Sequence, residues 1–451
     1  MADDLASVRA KLSVALPPSD LMRIQILPLP ADIKLIKEHG LLYLPFPYIV
    51  PGGRFNEMYG WDSYFHVLGV LRAGRVMLAK NMVDNQLYQV RHYGKVLNAN
   101  RTYYLDRSQP PFLSRMVLEV FAHTQDLGWL TNTLPDLLNY HAYWVSGGRM
   151  TPTGLSRYDS DANTPCTEVL LGEVNADMQD HYSTVANWFA ATLNDDATIG
   201  QKSYDVKTER LTEDYYQNDR AMRASGFDIS DRFGPFSSNI RSYNPVCLNS
   251  LLHQMELDLA TITALLGLMV ESETWNRAAV ARAALIGQLM WDEADGLFYD
   301  YNFIEKRRSS YQFITTFYPL WSGVATQAQA DRVVSKLALF ERAGGLQTST
   351  QSTGKQWDGP FGWAPTNFIA VQGMMEYGHD VDARSVAARF NAMVTRELEL
   401  TGTIREKYDV VQATSNVQSG VKFGYMINEV GFGWTNAVVM EFSDLLETRK
   451  G

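Results

Sequence analysis

The chain has 451 residues, of which 46% are hydrophobic, 12% aromatic and 20% charged, and its net charge is −10. This composition indicates a globular, aromatic-rich protein rather than a disordered one. The acidic balance disfavours nucleic-acid binding, which depends on Lys and Arg neutralising phosphates. Cys166 and Cys247 are too few for a disulfide framework and lack the spacing of a metal site.

The N-terminal sequence MADDLASVRAKL contains no apolar core of a signal peptide. Further along the chain, no run of about 18 apolar residues marks a membrane span. These features predict a cytoplasmic protein. No Ser/Gly tract, charge block or Pro-rich run marks a linker. We therefore expect a single domain over residues 1–451, in which residues 1–42 could form an N-terminal extension packed on the rest.

Helical periodicity dominates the chain, and it predicts an all-α protein. The predicted amphipathic or buried helices cover residues 112–130, 255–270, 383–398 and 436–446. Residues 255–270 are apolar nearly all round, so we expect a buried inner helix there. Thr326 and Gln329 form a capping-box pattern that opens a further helix. Short extended pieces are expected around residues 41–48 and 296–301.

Two strings combine Gly and Pro with aromatic residues and a carboxylate. They are PGGRFNEMYGWDSY at residues 51–64 and QWDGPFGWAP at residues 356–365. Gly and Pro favour tight turns, the aromatic side chains offer flat apolar faces, and Asp62 and Asp358 offer acceptors. A sugar ring has C–H-rich faces and a rim of hydroxyl groups, so these strings indicate a carbohydrate site. Each string alone is equally compatible with a structural turn between core helices.

Glycoside hydrolysis uses two carboxyl groups, one on each side of the scissile bond. Carboxylates in unusual local settings are Asp62, Asp228, Asp358 and Glu406. The apolar neighbour Phe227 would raise the pKa of Asp228 and keep its proton in place. The flanking cations Arg405 and Lys407 would hold Glu406 ionised, as a general base requires. Local sequence by itself does not select Asp228 and Glu406 from the other carboxylates.

Both strings resemble the signature segments of the trehalase family of glycoside hydrolases. Further segments resemble the same family in the same order: NANRTYYLDRSQPP at 98–111, SGFDISDRF at 225–233, REKYDV at 405–410 and GFGWTN at 431–436. The resemblance implies an (α/α)6 barrel. It also implies inverting hydrolysis of a small-molecule α-glycoside, without a metal or a cofactor.

The resemblance assigns roles residue by residue. It implies that Asp228 is the general acid and Glu406 the general base. It also implies substrate contacts from Arg54, Phe55, Trp61, Asp62, Asn98, Arg107, Glu168, Trp357 and Trp434. Phe55 and Trp357 would wall the pocket, and Trp434 would close it. We therefore expect these scattered residues to line one concave site.

Three segments depart from the family pattern. Cys166 falls where the family has an Arg in its RPRPES-like segment, and Cys247 replaces the acid of its PVDLN segment. The family's Gly-rich GGGGEY segment, whose Glu contacts the second sugar, is replaced by NVQSGVKFGYMINEV at residues 416–430. Glu429 is the glutamate near that place. The departures concern the leaving-group half of the site.

The preferred prediction is hydrolysis of α,α-trehalose to two glucoses. An alternative is the same mechanism on another α-glycoside, such as glucosylglycerate or mannosylglycerate. Arg405 and Lys422 are the candidate cations for the carboxylate of such a leaving group. A third option is a non-catalytic sugar-binding protein, against which the presence of both Asp228 and Glu406 argues. The sequence leaves the leaving group, the oligomeric state and the pH optimum open.

Overall fold

The computed structural model describes residues 5–33, 36–172, 180–192, 200, 202–417, 420–425 and 427–448. Helices make up most of the described chain. They are α1 (Leu5–Ala15), α2 (Pro18–Leu21), α3 (Asp62–Arg72), α4 (Val76–Tyr93), α5 (Leu113–Thr124), α6 (Leu127–Trp144), α7 (Thr167–Gly172), α8 (His181–Thr192), α9 (Glu213–Ala224), α10 (Val246–Leu265), α11 (Met269–Met290), α12 (Tyr318–Trp321), α13 (Gln327–Ser335), α14 (Ala364–Glu376), α15 (Asp380–Thr401) and α16 (Gly433–Glu447). In the described segments, none of the helices is long and apolar enough to cross a membrane.

The strands are short, and all their pairings are antiparallel. They are β1 (Tyr204–Asp205), β2 (Arg210–Leu211), β3 (Tyr243–Asn244), β4 (Trp291–Asp292), β5 (Leu297–Phe298), β6 (Tyr301–Asn302), β7 (Arg307–Arg308), β8 (Glu341–Arg342), β9 (Gly345–Leu346), β10 (Phe361–Trp363) and β11 (Lys407–Asp409). Strand β10 pairs with β11, so that Trp363 lies opposite Lys407. This pairing joins the string at 356–365 to the string at 405–410.

Six helices of the described chain form a closed inner ring. Helix α3 packs on α5, α5 on α10, α10 on α12, α12 on α14, α14 on α16, and α16 packs back on α3. Helices α4, α6, α11 and α15 pack on the outside of this ring. The fold is an (α/α)6 barrel, as predicted. Because neighbouring inner and outer helices form antiparallel hairpins, the segments that lead into the inner helices meet at one end of the ring.

The inner helix α10 is buried on almost every face, as its apolar sequence predicts. The prediction is wrong at its C-terminal end, because α10 ends at Leu265 and Val270 is exposed on the next helix. The capping box is confirmed, since Thr326 accepts from the main-chain N–H of Gln329 and the Gln329 side chain accepts from that of Thr326.

The helix predicted over residues 112–130 is divided into α5 and α6. Gln125 ends α5 in the left-handed region at φ 51°. Asp126 then caps α6, because its side chain accepts a hydrogen bond from the main-chain N–H of Trp129 at 2.9 Å. Periodicity continues through this break because both helices place apolar residues towards the core.

The remaining predictions concern helices near the C-terminus and the extended pieces. Helices were predicted over residues 383–398 and 436–446, and they lie within α15 and α16. Strands β5 and β6 confirm extended structure near residues 296–301. No strand forms over residues 41–48, where a single bridge pairs Leu41 with Arg101. The main buried core cluster runs from Met58 to Phe442.

Candidate active site

A cavity of about 250 Å³ lies where the segments leading into the inner helices meet. The residues to which the family resemblance assigns roles all line it: Arg54, Phe55, Trp61, Asp62, Asn98, Arg107, Glu168, Asp228, Trp357, Glu406 and Trp434. The prediction that these scattered residues share one pocket is therefore confirmed.

The first signature string places a carboxylate at the beginning of an inner helix. Asp62 is the first residue of α3, and its side chain lines the cavity although the residue is only 4% exposed. Burial raises the pKa of Asp62 well above its usual range, and the charges of Glu406 and Asp228 raise it further. Three carboxyl groups thus share one electrostatic environment, which favours the protonated form of Asp62.

An aromatic wall forms one side of the cavity. The ring centroid of Trp61 lies 5.9 Å from that of Trp357 and 5.6 Å from that of Trp434. Trp357 in turn stacks on Trp363, with centroids 3.9 Å apart and an interplanar angle of 4°. Gly226 allows this packing, because its φ is +77° and a Cβ there would lie 3.0 Å from a carbon of the Trp61 ring.

Arg107 is a buried cation in the cavity wall. Its Nε donates to Oδ1 of Asn98 at 3.1 Å, and its Nη2 donates to Oε1 of Glu168. Its Nη1 lies 3.9 Å from Sγ of Cys166. Burial raises the pKa of the Cys166 thiol well above its usual range, so this position carries no charge in place of the expected Arg. The rigid fork of the Arg107 guanidinium is therefore fixed by three neighbours.

A second buried guanidinium, that of Arg223, was missed by the sequence analysis. Arg223 lines the cavity from the last turn of α9, and its Nη1 lies 3.8 Å from Oδ2 of Asp228. Its Nε donates to both carboxylate oxygens of Asp219 at 3.2 Å. Asp219 also accepts hydrogen bonds from Tyr182 and from the Cys166 thiol. Arg223 thus brings a positive charge to the side of the pocket where Cys166 stands instead of Arg.

Other missed lining residues lie mostly inside the motifs already quoted: Tyr59, Tyr104, Gln109, Trp363 and Phe432. Tyr425 lines the cavity from the segment that departs from the family pattern. The signal for the residues inside the motifs was their position within a matched string. For Arg223 the signal was weaker, namely its place two residues before the SGFD segment.

Glu406 is buried, and both of its carboxylate oxygens have defined surroundings. Oε1 accepts a hydrogen bond from the Tyr425 hydroxyl. Oε2 lies 3.9 Å from Nζ of Lys407 and has no hydrogen-bond partner among the described residues. Burial raises the pKa of Glu406, and Lys407 and the Tyr425 hydrogen bond oppose that rise. The expectation that flanking cations decide its ionisation is corrected, because burial outweighs Lys407 and Arg405 instead donates to the carbonyl oxygen of Asn428.

Asp358, the remaining candidate carboxylate, does not line the cavity. It is fully buried and accepts hydrogen bonds from the main-chain N–H of Asp231 and the hydroxyls of Tyr311, Ser349 and Thr353. Burial raises its pKa to about 6. Through these hydrogen bonds Asp358 stabilises the second signature string. Arg405 and Lys422, the candidate cations for a carboxylated leaving group, are also absent from the described lining.

The other departures from the family pattern are compensated in the fold. Cys247 lies outside the cavity lining, and Arg232 donates to both carboxylate oxygens of Asp300 at 2.7 and 2.6 Å. Asp300 therefore supplies a carboxylate near Cys247, whose Sγ also accepts a hydrogen bond from Arg232. Glu429 is buried beside the cavity, where its Oε1 lies 3.2 Å from Nε of Arg54.

The chain resembles known proteins over most of its length. Residues 24–447 match the trehalase family. The chain is 36% identical to the cytosolic neutral trehalase of Beauveria bassiana (strain ARSEF 2860) over 435 residues, which cover 87% of this chain and 57% of that protein. The chain therefore spans little more than half the length of that relative.

Two solved structures show how far the fold is shared. The neutral trehalase Nth1 of Saccharomyces cerevisiae matches with a TM-score of 0.76 and 32% identity, covering 94% of this chain and 81% of that one. The GH63 mannosylglycerate hydrolase of Thermus thermophilus matches with a TM-score of 0.57 and 19% identity, covering 89% and 96%. The second likeness is one of fold alone.

Proposed function

Because the chain belongs to the trehalase family, we propose that it hydrolyses α,α-trehalose to two glucose molecules with inversion at the reacting anomeric carbon. The observation that carries this proposal is that Asp228 and Glu406, which lie 178 positions apart, line the same cavity. Both stand in segments that match the family's catalytic segments.

In this mechanism Asp228 donates its proton to the glycosidic oxygen as the bond to the leaving glucose breaks. Glu406 takes a proton from the water that attacks the anomeric carbon from the opposite face. Such a pair works at a carboxyl separation of roughly 6.5–9.5 Å, which leaves room for the water. Oε2 of Glu406 is the oxygen that we assign to this proton, because Oε1 is engaged by Tyr425.

The cavity wall suggests how glucose is held. We assign the flat sugar face to the rings of Trp61, Trp357 and Trp434. We assign the hydroxyl rim to the polar groups of Arg54, Asp62, Asn98, Arg107, Glu168 and Arg223. A site built from such donors and acceptors rejects ligands that leave them unpaired.

Trehalose is preferred over a glycosylglycerate for two reasons. The relatives reported above at more than 30% identity are named trehalases, whereas the mannosylglycerate hydrolase, at 19% identity, is alike in fold alone. In addition, neither Arg405 nor Lys422 lines the described cavity to meet a carboxylate. Relatives that are named cytosolic support a cytosolic location for this chain. We also propose that the chain forms a single domain, because one main core cluster runs from Met58 to Phe442.

Anomer-resolved proton NMR of the first turnovers on trehalose tests the mechanism. Inversion yields one β-glucose and one α-glucose from each trehalose, whereas retention yields α-glucose alone. A first product mixture without β-glucose would overturn the inverting mechanism. Comparing kcat/KM for trehalose and glucosylglycerate tests the substrate, and a higher value for glucosylglycerate would overturn the assignment to trehalose.

A further inference from the structure

Two side chains contact Glu406 although the reaction proposed above assigns them no role. The hydroxyl of Tyr425 donates to Oε1 of Glu406, and the Lys407 ammonium lies 3.9 Å from Oε2. Lys407 is fully buried, and Tyr425 lines the cavity. A buried carboxylate is costly to ionise unless a donor and a cation offset the lost hydration. The two neighbours of Glu406 supply that donor and that cation.

The ring of Tyr425 is held by two cations. The guanidinium carbon of Arg54 lies 4.7 Å from the ring centroid, and the Lys407 ammonium lies 3.8 Å from it. Each cation is within the range at which the electron-rich face of an aromatic ring attracts a positive charge. The direction of the Tyr425 hydroxyl is therefore set by contacts to its ring as well as by its bond to Glu406.

The ammonium of Lys407 is held equally firmly. It donates to Oε1 of Gln356 at 2.8 Å and to the carbonyl oxygen of Tyr425 at 3.1 Å. The backbone of Lys407 lies in strand β11, opposite Trp363 of β10. These contacts keep the charge of Lys407 beside Glu406. A lysine side chain on the surface would instead move freely.

We propose that Tyr425 and Lys407 are positioning residues for Glu406, which favour its ionised form while leaving its Oε2 to accept the proton of the attacking water. This inference rests on the proposed function, because it takes Glu406 as the general base. Tyr425 stands in the segment at 416–430 that differs from the family's Gly-rich segment. The hydroxyl donor to the general base Glu406 thus comes from a segment in which this chain differs from its family.

The Tyr425→Phe substitution tests the donor, because it removes the hydroxyl and keeps the ring between its two cations. Because a hydrogen bond to a charged group contributes more free energy than one between neutral groups, we expect its loss to lower kcat about tenfold to hundredfold. We expect KM to change much less. The acidic limb of the kcat profile should move to higher pH, because the lost donor favoured the ionised form of the base.

Lys407→Met and Lys407→Arg test the cation. Lys407→Met should lower kcat and move the acidic limb in the same direction as Tyr425→Phe does. Lys407→Arg keeps the charge, so it should recover part of kcat and return the limb towards its wild-type position. If Lys407→Met does not fold, Tyr425→Phe and Lys407→Arg still test the proposal, because each replacement is closer in shape to the native residue.

Tyr299→Phe is the matched control, because it removes a tyrosine hydroxyl bond to the carboxylate of Asp295, 2.9 Å long and outside the cavity. It should keep the wild-type pH profile. If Tyr425→Phe lowers kcat without moving the acidic limb, its role is structural and the inference is wrong. Glu406→Gln separates the two failures. Full activity in that variant would refute the base assignment itself, whereas an inactive Glu406→Gln beside an unaltered Tyr425→Phe would refute this inference alone.

Discussion

The side-chain amide of Gln356 donates a hydrogen bond from its Nε2 to the main-chain carbonyl oxygen of Asp228, at 2.6 Å. Its Oε1 accepts from the Lys407 ammonium at 2.8 Å, and Lys407 is the neighbour of Glu406 in sequence. One side chain therefore ties the backbone of the proposed acid to the residue beside the proposed base. We expect this connection to help set the separation of the two carboxyl groups.

Gln356→Leu should lower kcat, because it breaks both hydrogen bonds and leaves the acid and base segments without their link. Loss of a bond to the buried Lys407 ammonium should also lower the free energy of unfolding by about 1–3 kcal/mol. Steady-state kinetics and urea denaturation measure the two effects. Gln312→Leu, outside the cavity lining, is the control and should keep wild-type kcat. A Gln356→Leu enzyme with wild-type kcat would show that the link is dispensable.

Asp228→Asn and Glu406→Gln should each lower kcat by about 10²–10⁴-fold, the usual contribution of a general acid or base. Both changes keep the shape of the side chain, so trehalose should still bind when titrated by calorimetry. Glu397→Gln is the matched control, because Glu397 is a buried glutamate that bonds Ser415 away from the cavity. It should keep wild-type kcat. Near-normal turnover in either of the first two variants would remove that residue from the mechanism.

Arg223→Lys should lower kcat/KM for trehalose about tenfold or more, because a lysine cannot hold Asp219 with its fork while also facing Asp228. The substitution keeps the charge, so it avoids leaving the buried Asp219 without a cation. Arg282→Lys is the control, since Arg282 pairs with the buried Glu256 outside the cavity. We expect Arg282→Lys to affect thermal stability and leave kcat/KM unchanged. Equal loss of kcat/KM in both variants would contradict a role for Arg223 in the site.

His66 should make the fold sensitive to acid. It is buried in α3, two residues after the end of the first signature string, and burial lowers its pKa to about 4. Neither ring nitrogen has a hydrogen-bond partner among the described residues. Below the pKa of about 6.5 that histidine has when unfolded, the unfolded chain binds a proton that the folded one does not. The free energy of unfolding should therefore fall as the pH drops from about 6.5 to about 4, by about 3 kcal/mol in total.

His66→Leu checks this acid sensitivity, because it replaces the titrating ring with an apolar side chain. Urea denaturation at pH values between 4 and 7 should show a shallower decline for this variant than for the wild type. His123→Leu, at an exposed position of α5, should leave the slope unchanged. An identical slope for His66→Leu and wild type would show that His66 is not the source of the acid sensitivity.

The amino-acid pattern was enough to predict the helical class, the capping box at Thr326 and the strings that meet in the cavity. Each of these rests on residues close together in the chain. Helical periodicity, a cap and a turn depend on neighbours within a few positions. The family resemblance added Asp228 and Glu406 as a pair, which local sequence could not select.

Which distant groups share an environment became known from the folded structure. It placed Arg223 beside Asp228 and set Asp300 against Arg232 near Cys247. It also removed Asp358 from the cavity and raised the pKa of Glu406, although a lysine follows it in sequence. The physical reason is that burial and charge pairing are long-range properties. The cost of ionising a carboxyl group depends on every segment packed around it and not on its sequence neighbours alone.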